Sequence, residues 1–393
     1  MRKFIILFIA MILISCGPIQ ASKPSETANP KPDTTAVIEK TSSKVSTSIP
    51  INYPSPTLNP TSIPTETDTA EVYSWTYLGP NRSSNDQVRI ISIDPTKSTN
   101  IYIGVQNRGL LKSSDGGTTW VEILTQHYAN PNIIAIDPIS TSTVYYIDIP
   151  ILKSTDGGNR WSDAGIWGIN EGSYKERVEI RSFAINQKNP LILFAGVDYF
   201  GGIPAGNIYK SLDGGNNWTP ISLPKAESVL TIAIDPINSQ IVYVGTADFG
   251  IYKSIDGGEN WKLLSSLLSQ DTIYYLAIDP IATETIYAAT LKNGIIKSDN
   301  GGENWRSSNN SIPDKLEIPK IILNKMDPKS IYIFTLDYSP DKKTTLYKSN
   351  DAGESWMPIN VDDKLINDVA LGLQSPPTLY IATDTGLFSM DVK

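Results

Sequence analysis

The 393-residue chain has one cysteine and one histidine. Cys16 has no partner for an intrachain disulfide, and a cysteine–histidine metal cluster has too few members. His127 would have to serve any His-based triad, and no Gly-x-Ser-x-Gly elbow accompanies it. No glycine-rich phosphate loop is present, because the Gly-Gly pairs fall in a repeated turn or at Gly201-Gly202. No cofactor and no metal are therefore expected. Arginine is also scarce, with eight positions against 41 acids and a net charge of −8. Nucleic acid and anionic lipid surfaces reward clustered Lys and Arg, so both are poor partners. The longest apolar run, from Phe4 to Ile14, is too short to span a bilayer.

What the chain has in abundance is one eight-residue stretch. Ser254-Ile255-Asp256-Gly257-Gly258-Glu259-Asn260-Trp261 recurs with small changes from Ser113, Ser154, Ser211, Ser298 and Ser349. Its pattern is Ser-x-Asp-x-Gly-x-x-Trp. The carboxylate accepts from backbone N–H groups just ahead, and glycine supplies positive φ without a steric cost. The Trp then opens the next strand. Burying one removes roughly 150–250 Å² from water, worth at most about 4–6 kcal/mol. The expected turn residues are Asp115, Asp156, Asp213, Asp256, Asn300 and Asp351, closed by Trp120, Trp161, Trp218, Trp261, Trp305 and Trp356. Asn300 favours a structural role over metal binding, since an amide keeps the turn hydrogen bond and is a poor metal ligand.

These copies resemble the Asp-box, or BNR repeat, of sialidases, sortilin-type receptors, family 74 xyloglucanases and the photosystem II assembly factors. The resemblance implies a β-propeller. It implies little about function, because those families do unrelated things.

Met1-Arg2-Lys3 followed by the apolar run has the layout of a signal peptide. Leu13-Ile14-Ser15-Cys16 resembles a bacterial lipobox, which implies cleavage after residue 15 and lipidation of Cys16. The expected location is then an extracytoplasmic membrane surface, attached through the lipid, and the net charge becomes −10. In residues 17–70, 27 of 54 positions are Pro, Ser or Thr. Such a segment buries too little apolar surface to order itself. Residues 16–70 read as a lipidated tether, spanning about 40 Å on average as a coil.

From residue 71 the texture changes to units of 40 to 57 residues, the period of a propeller or solenoid. One unit reads as four strands: Ser228 to Asp235, Gln240 to Gly245, Gly250 to Ser254 and Trp261 to Ser265. First-strand endings recur at Asp94-Pro95, Asp137-Pro138, Asn189-Pro190, Asp235-Pro236, Asp279-Pro280, Asp327-Pro328 and Ser375-Pro376. The seventh unit stops after its third strand. Trp75-Thr76 matches Trp218-Thr219, so the stretch around Trp75 is expected to supply the missing fourth strand. An all-β, seven-bladed propeller over residues 71–393 follows, probed against an open solenoid that leaves Trp75 unexplained.

In that fold the Asp-Pro turns and boxes share one regular face, and the other face is irregular. Irregular loops on a rigid scaffold are where binding resides. The second-to-third turns pair acids with aromatics at Asp198-Tyr199-Phe200, Asp248-Phe249 and Asp337-Tyr338. Trp167 lies in a long loop, with Arg108 and Lys292 as more distant polar contributors. Aromatic platforms beside carboxylates suit a sugar ring or an anchored partner loop; the alternative is packing beneath their own loops. Resemblance to sialidases implies an arginine triad, usually begun by Arg-Ile-Pro. No Ile-Pro pair follows an Arg, leaving Arg108, Arg177 and Arg181 as candidates. Family 74 enzymes place their acids between two propellers, and one is expected here. The expected function is a monomeric binding or scaffold module for a protein or glycan, with a glycoside hydrolase as the alternative.

Overall fold

The computed structural model describes residues 74–80, 86–125, 132–147, 151–165, 179–198, 208–225, 228–264, 268, 270–313, 316–337 and 343–392. Cys16, the tether, Trp167, Arg177, Tyr199, Phe200 and Tyr338 lie outside them.

Seven antiparallel four-stranded sheets make seven blades. Six are consecutive in sequence. The seventh combines Ile366–Gly372, Thr378–Thr383 and Gly386–Asp391 with Thr76–Gly79 on its outer edge. Thr76 pairs with Ser389 and Tyr77 with Phe388. The ring therefore closes between the N-terminal strand and the C-terminal blade.

The burial pattern explains why these residues make blades. Second strands such as Val242–Thr246 are buried along their whole length, because both of their faces meet a neighbouring blade. First strands such as Val229–Ile234 are the innermost and half-buried. Fourth strands at the rim shrink to two residues, as at Lys262–Leu263. The apolar residues form seven clusters, each bridging two blades. The core is thus seven interfaces rather than one centre. Phe194 and Ile208 of blade 3, for example, pack with Val229, Val242 and Val244 of blade 4.

Each box is organised by its serine. Ser254 Oγ donates to Asp256 Oδ1 at 2.8 Å and accepts from Gly258 N at 2.8 Å. Asp256 Oδ1 also accepts from Asn260 N at 2.9 Å. Gly257 and Gly258 have φ of 74° and 93°, which L side chains rarely adopt. Asn300 repeats the arrangement, its Oδ1 accepting from Ser298 Oγ and Asn304 N. The first box glycine then donates to the first-to-second turn of its own blade, as Gly257 N does to Gln240 O at 2.8 Å. Boxes and first turns consequently share one face.

The box Trp reaches back to the preceding blade. Trp120 Nε1 donates to Leu78 O, Trp161 to Ile123 O, Trp218 to Ala164 O and Trp356 to Ser308 O. Trp75 makes the same contact without a box, donating to Asn360 O at 2.8 Å. A second, forward clamp was hidden in the Tyr and Lys of the second and third strands. Tyr145 OH and Lys153 Nζ both donate to Gly214 O of the next box, at 3.1 and 2.8 Å. Tyr243 and Lys253 hold Gly301 O, and Tyr287 and Lys297 hold Ala352 O. In blade 7 the lysine position is Ser389, and Gly116 of the following box has open space beside it.

Three turn assignments change, the one in blade 7 because its first strand ends at Gly372 and Ser375-Pro376 lies inside the turn. In blades 3 and 6 the Asn-Pro and Asp-Pro pairs lie three residues beyond the turn opening. Asn186 and Asn324 open those turns, accepting from Lys188 N and Met326 N as Asp94 accepts from Thr96 N. The side-chain acceptor defines this turn, and the proline is dispensable.

Hydrogen bonds hold the Asp115 and Asp256 carboxyls down to about 2, led by Thr119 and Asn260 respectively. A depressed folded value contributes stability that is present above the unfolded value near 3.9 and lost as pH falls toward 2. Replacing both by Asn, as blade 5 has naturally, should flatten the decline in melting temperature between about pH 4 and 2. An unchanged acid profile would place acid sensitivity elsewhere.

Candidate functional site

On the irregular face the second-to-third turns are pinned to the chain leading into each first strand. Gln106 N donates to Gln87 O, Ala247 N to Ser228 O and Leu291 N to Thr272 O. Hydroxyls then stitch blade to blade. Ser228 Oγ donates to Asp198, and Thr272 Oγ1 donates to Ala247 O.

The sequence candidates occupy this lattice unequally. Asp198 also accepts from Arg181 Nε at 3.0 Å, and Arg181 reaches Glu179 at 3.1 Å. Asp198 is therefore a latch between blades 3 and 4. Asp248 is exposed at the next turn. Phe249 is half-buried against the core between blades 3 and 4, which matches packing beneath its loop. Arg108 lies in blade 1, ion-paired with Asp86 and Glu122. Lys292 is on blade 5, with Nζ on Gln270 O and its amide on Asp271 Oδ1. Asp337, on blade 6, is half-buried and its N–H donates to Lys343 O. Asp198 and Asp248 thus sit on adjacent blades, while Arg108, Lys292 and Asp337 are on three others. Arg108 and Arg181 are each ion-paired on separate blades, and Arg177 lies outside the described residues.

Two features were not foreseen. The first is a groove of about 820 Å³ beside the outer strand of blade 5, Arg306–Ser307. Lys292, Trp305, Arg306, Asn309, Ile312 and Leu316 line it. It forms where the connection to blade 6 passes a two-residue edge strand, a relation that spacing alone does not reveal. Its volume lies within the range of ligand sites. Arg306 is held by Glu354 and Asp299, and its hydrogen bonds keep the Glu354 carboxyl below its ordinary value.

The second lies along the innermost strands. Lys320 of blade 6 donates to Asp368 of blade 7 at 2.7 Å. Asp368 Oδ2 accepts from Ile91 N of blade 1 at 3.0 Å. Tyr275 of blade 5 feels both charges, and burial raises its phenol. These residues follow a bulge that the first strands of blades 5, 6 and 7 share. Among the described residues, no three His, Cys, Asp or Glu side chains are grouped to hold a metal ion.

This architecture defines a seven-bladed Asp-box β-propeller. Residues 249–367 match the family model described as "Sortilin, neurotensin receptor 3". The chain is 30% identical over 92 residues to a probable oligoxyloglucan-reducing end-specific xyloglucanase of Neosartorya fischeri, covering 21% of this chain and 11% of that protein. A corresponding enzyme of Emericella nidulans is 30% identical over 102 residues, 13% of its length. Among solved structures, a family 74 enzyme of Niastella koreensis superposes with a TM-score of 0.61 at 17% identity, over 81% of this chain and 53% of that one. YCF48 bound to D1 peptide superposes with a TM-score of 0.56 at 16% identity, over 82% of this chain and 95% of that one. The chain spans about half the length of the family 74 structures and a small part of the curated xyloglucanases. These likenesses establish the fold.

Proposed function

We propose that the propeller is a binding module, monomeric and tethered to a membrane through a lipid on Cys16, that captures a protein or glycan on its irregular face and rim. The observation that carries this reading is the state of four of the described carboxylates there. Asp86, Asp198, Asp271 and Asp384 each already hold a cation, hydroxyl or amide. A glycosidase of the common type needs two carboxyl groups facing each other across a cleft. The blade 5 groove instead offers an apolar wall with polar rims, suited to an extended chain. YCF48, which shares the fold, has been solved with a peptide bound. The matches to xyloglucanases support the second reading, hydrolysis of a glycan, whose substrate would have to meet a carboxylate pair.

Full-length protein should retain peptides or oligosaccharides from an array and release no new reducing ends. Asp248→Ala with Lys292→Ala should weaken capture by about tenfold at an unchanged melting temperature. Catalytic release of shortened xyloglucan oligosaccharides, many per protein molecule, would replace the module by an enzyme. Undiminished capture by the well-folded double variant would move the site away from blades 4 and 5.

A further inference from the structure

The regular face carries apolar side chains that nothing in the propeller covers. Ile139, Ile237, Ile281 and Met326 are 63, 53, 64 and 75% exposed. They occupy one equivalent position, two residues after the Asx residue of the first-to-second turn, in blades 2, 4, 5 and 6. Each turn is locked by its own backbone bond: Ile139 N to Asp137, Ile237 N to Asp235, Ile281 N to Asp279 and Met326 N to Asn324, at 2.7 to 3.0 Å. The side chains thus project from rigid tips rather than folding back. Leu191 and Leu212 of blade 3 and Ile255 of blade 4 extend the patch outward on the same face, at 54, 65 and 72% exposure. A repeated, pre-organised apolar set of this kind marks an interaction surface.

The position of the chain's N-terminal segment indicates the occupant. Fourth strands start from the box side, and Thr76 pairs with Ser389 near the box-side end of the third strand. At that end Val392 N bonds Pro377 O of the first turn, as the box glycines do elsewhere. The described chain therefore enters the propeller at Ser74 on the regular face, the face with the exposed tips. A lipid on Cys16 would hold the bilayer within reach of that face, the intervening chain spanning about 40 Å on average as a coil. The charges interleaved with the tips suit a lipid interface. Exposed Lys97, Lys188, Lys325 and Lys329 stand on these turns, against Glu284 and Asp327. Long lysine stems can lie along apolar surface and keep their ammonium groups among headgroups. The boxes on the same face add exposed Asp115, Asp156, Glu259, Asp299, Glu303 and Glu354, so charge does not draw this face to lipid.

We propose that the regular face rests on the membrane surface, with Ile139, Ile237, Ile281 and Met326 inserted among the lipid headgroups, and the irregular face directed outward. The orientation rests on the tethering reading above, whereas contact between tips and lipid does not. Shallow insertion of apolar tips, rather than charge, supplies the attraction, so zwitterionic lipid suffices.

The test uses the mature chain, residues 16–393, with Cys16→Ser, which has neither the apolar leader nor a thiol to lipidate, with vesicles of pure phosphatidylcholine. It should co-sediment weakly, and equally at high salt. Combining Ile139→Asn, Ile237→Asn, Ile281→Asn and Met326→Gln should reduce partitioning by about tenfold or more while melting is unchanged. In the same background, an environment-sensitive fluorophore on Ile281→Cys should shift to the blue on adding vesicles, and one on Asp248→Cys should not. No vesicle binding, binding equal in the tip variant, or a shift at Asp248→Cys alone would overturn the proposal. Tip-dependent self-association or protein capture without vesicle binding would also overturn it, in favour of a protein partner. A wild-type protein found in the soluble cell fraction would remove the lipid anchor and leave the vesicle result to judge the tips separately.

Discussion

Deleting residues 71–79 should cost this protein its stable fold. The strand Thr76–Gly79 is the outer edge of blade 7, and its loss leaves Gly386–Asp391 with unpaired backbone groups. Two interfaces open at once. Trp75 leaves the cluster between blades 6 and 7, and Leu78 leaves the one between blades 7 and 1. Trp120 Nε1 loses its acceptor, Leu78 O. The seam between blades 7 and 1 lacks the lysine clamp, because Ser389 stands at that position. The expected result is aggregation, or a melting temperature lower by on the order of 10 °C. Trp75→Ala alone should cost about 2–3 kcal/mol, less than a fully buried Trp because the side chain is half-exposed. Deleting residues 17–65 is the control and should leave melting unchanged. Equal melting of the 71–79 deletion and the full chain would mean that ring closure contributes nothing.

That ring was legible from Trp75 because a propeller repeats the same local problem seven times. Each Asp-Gly turn states its own φ requirement, and each Trp announces a strand, so copies can be counted in one dimension. The clamp's Tyr243 and Lys253 were also present in the sequence, in the second-strand run Ile241-Val242-Tyr243 and the third-strand run Tyr252-Lys253-Ser254, yet their purpose was not. The clamp joins Lys253 to a carbonyl 48 residues away, and no spacing rule ties a third strand to the next blade's box. The proline signal misled in blades 3 and 6 because Asn186 and Asn324 perform the turn's chemistry without it. At the candidate site the limits were of the same kind. Asp198 beside aromatic residues reads as a binding carboxylate until Arg181 and Ser228 are seen to occupy it. The blade 5 groove depends on where a connection passes an edge strand, which is tertiary information. The exposed Ile139, Ile237 and Ile281 were visible as three Asp-Pro-Ile turns. Only the box-to-turn bonds, which place these turns on the face where the N-terminal segment joins, give their repetition a direction.

The largest effect expected from a single side chain on the innermost strands is at Asp368. Its carboxylate accepts from Lys320 Nζ at 2.7 Å, from Ile91 N at 3.0 Å and from its neighbour Val369 N at 2.8 Å. It therefore ties blade 6 to blade 7 and blade 7 to blade 1, across the point of closure. Asp368→Ala leaves an ammonium with no counter-charge and a buried N–H with no acceptor. Removing one partner of a buried pair costs about 3–5 kcal/mol, and Lys320 is partly solvated, so a loss of about 2–4 kcal/mol is expected. Burial alone would lower the Lys320 ammonium, but Asp368 outweighs it and holds the group above its ordinary value. A raised folded value means stability that is fully present below the unfolded value near 10.4 and lost as pH rises through the folded one. Lys320→Met should accordingly remove part of the alkaline decline in melting temperature. The double variant Lys320→Met with Asp368→Leu should recover part of the loss, since apolar replacement of both partners avoids the stranded charge. Additive losses in the double variant would show that the two residues act separately, and a neutral Asp368→Ala would show that the innermost strands do not hold the ring shut.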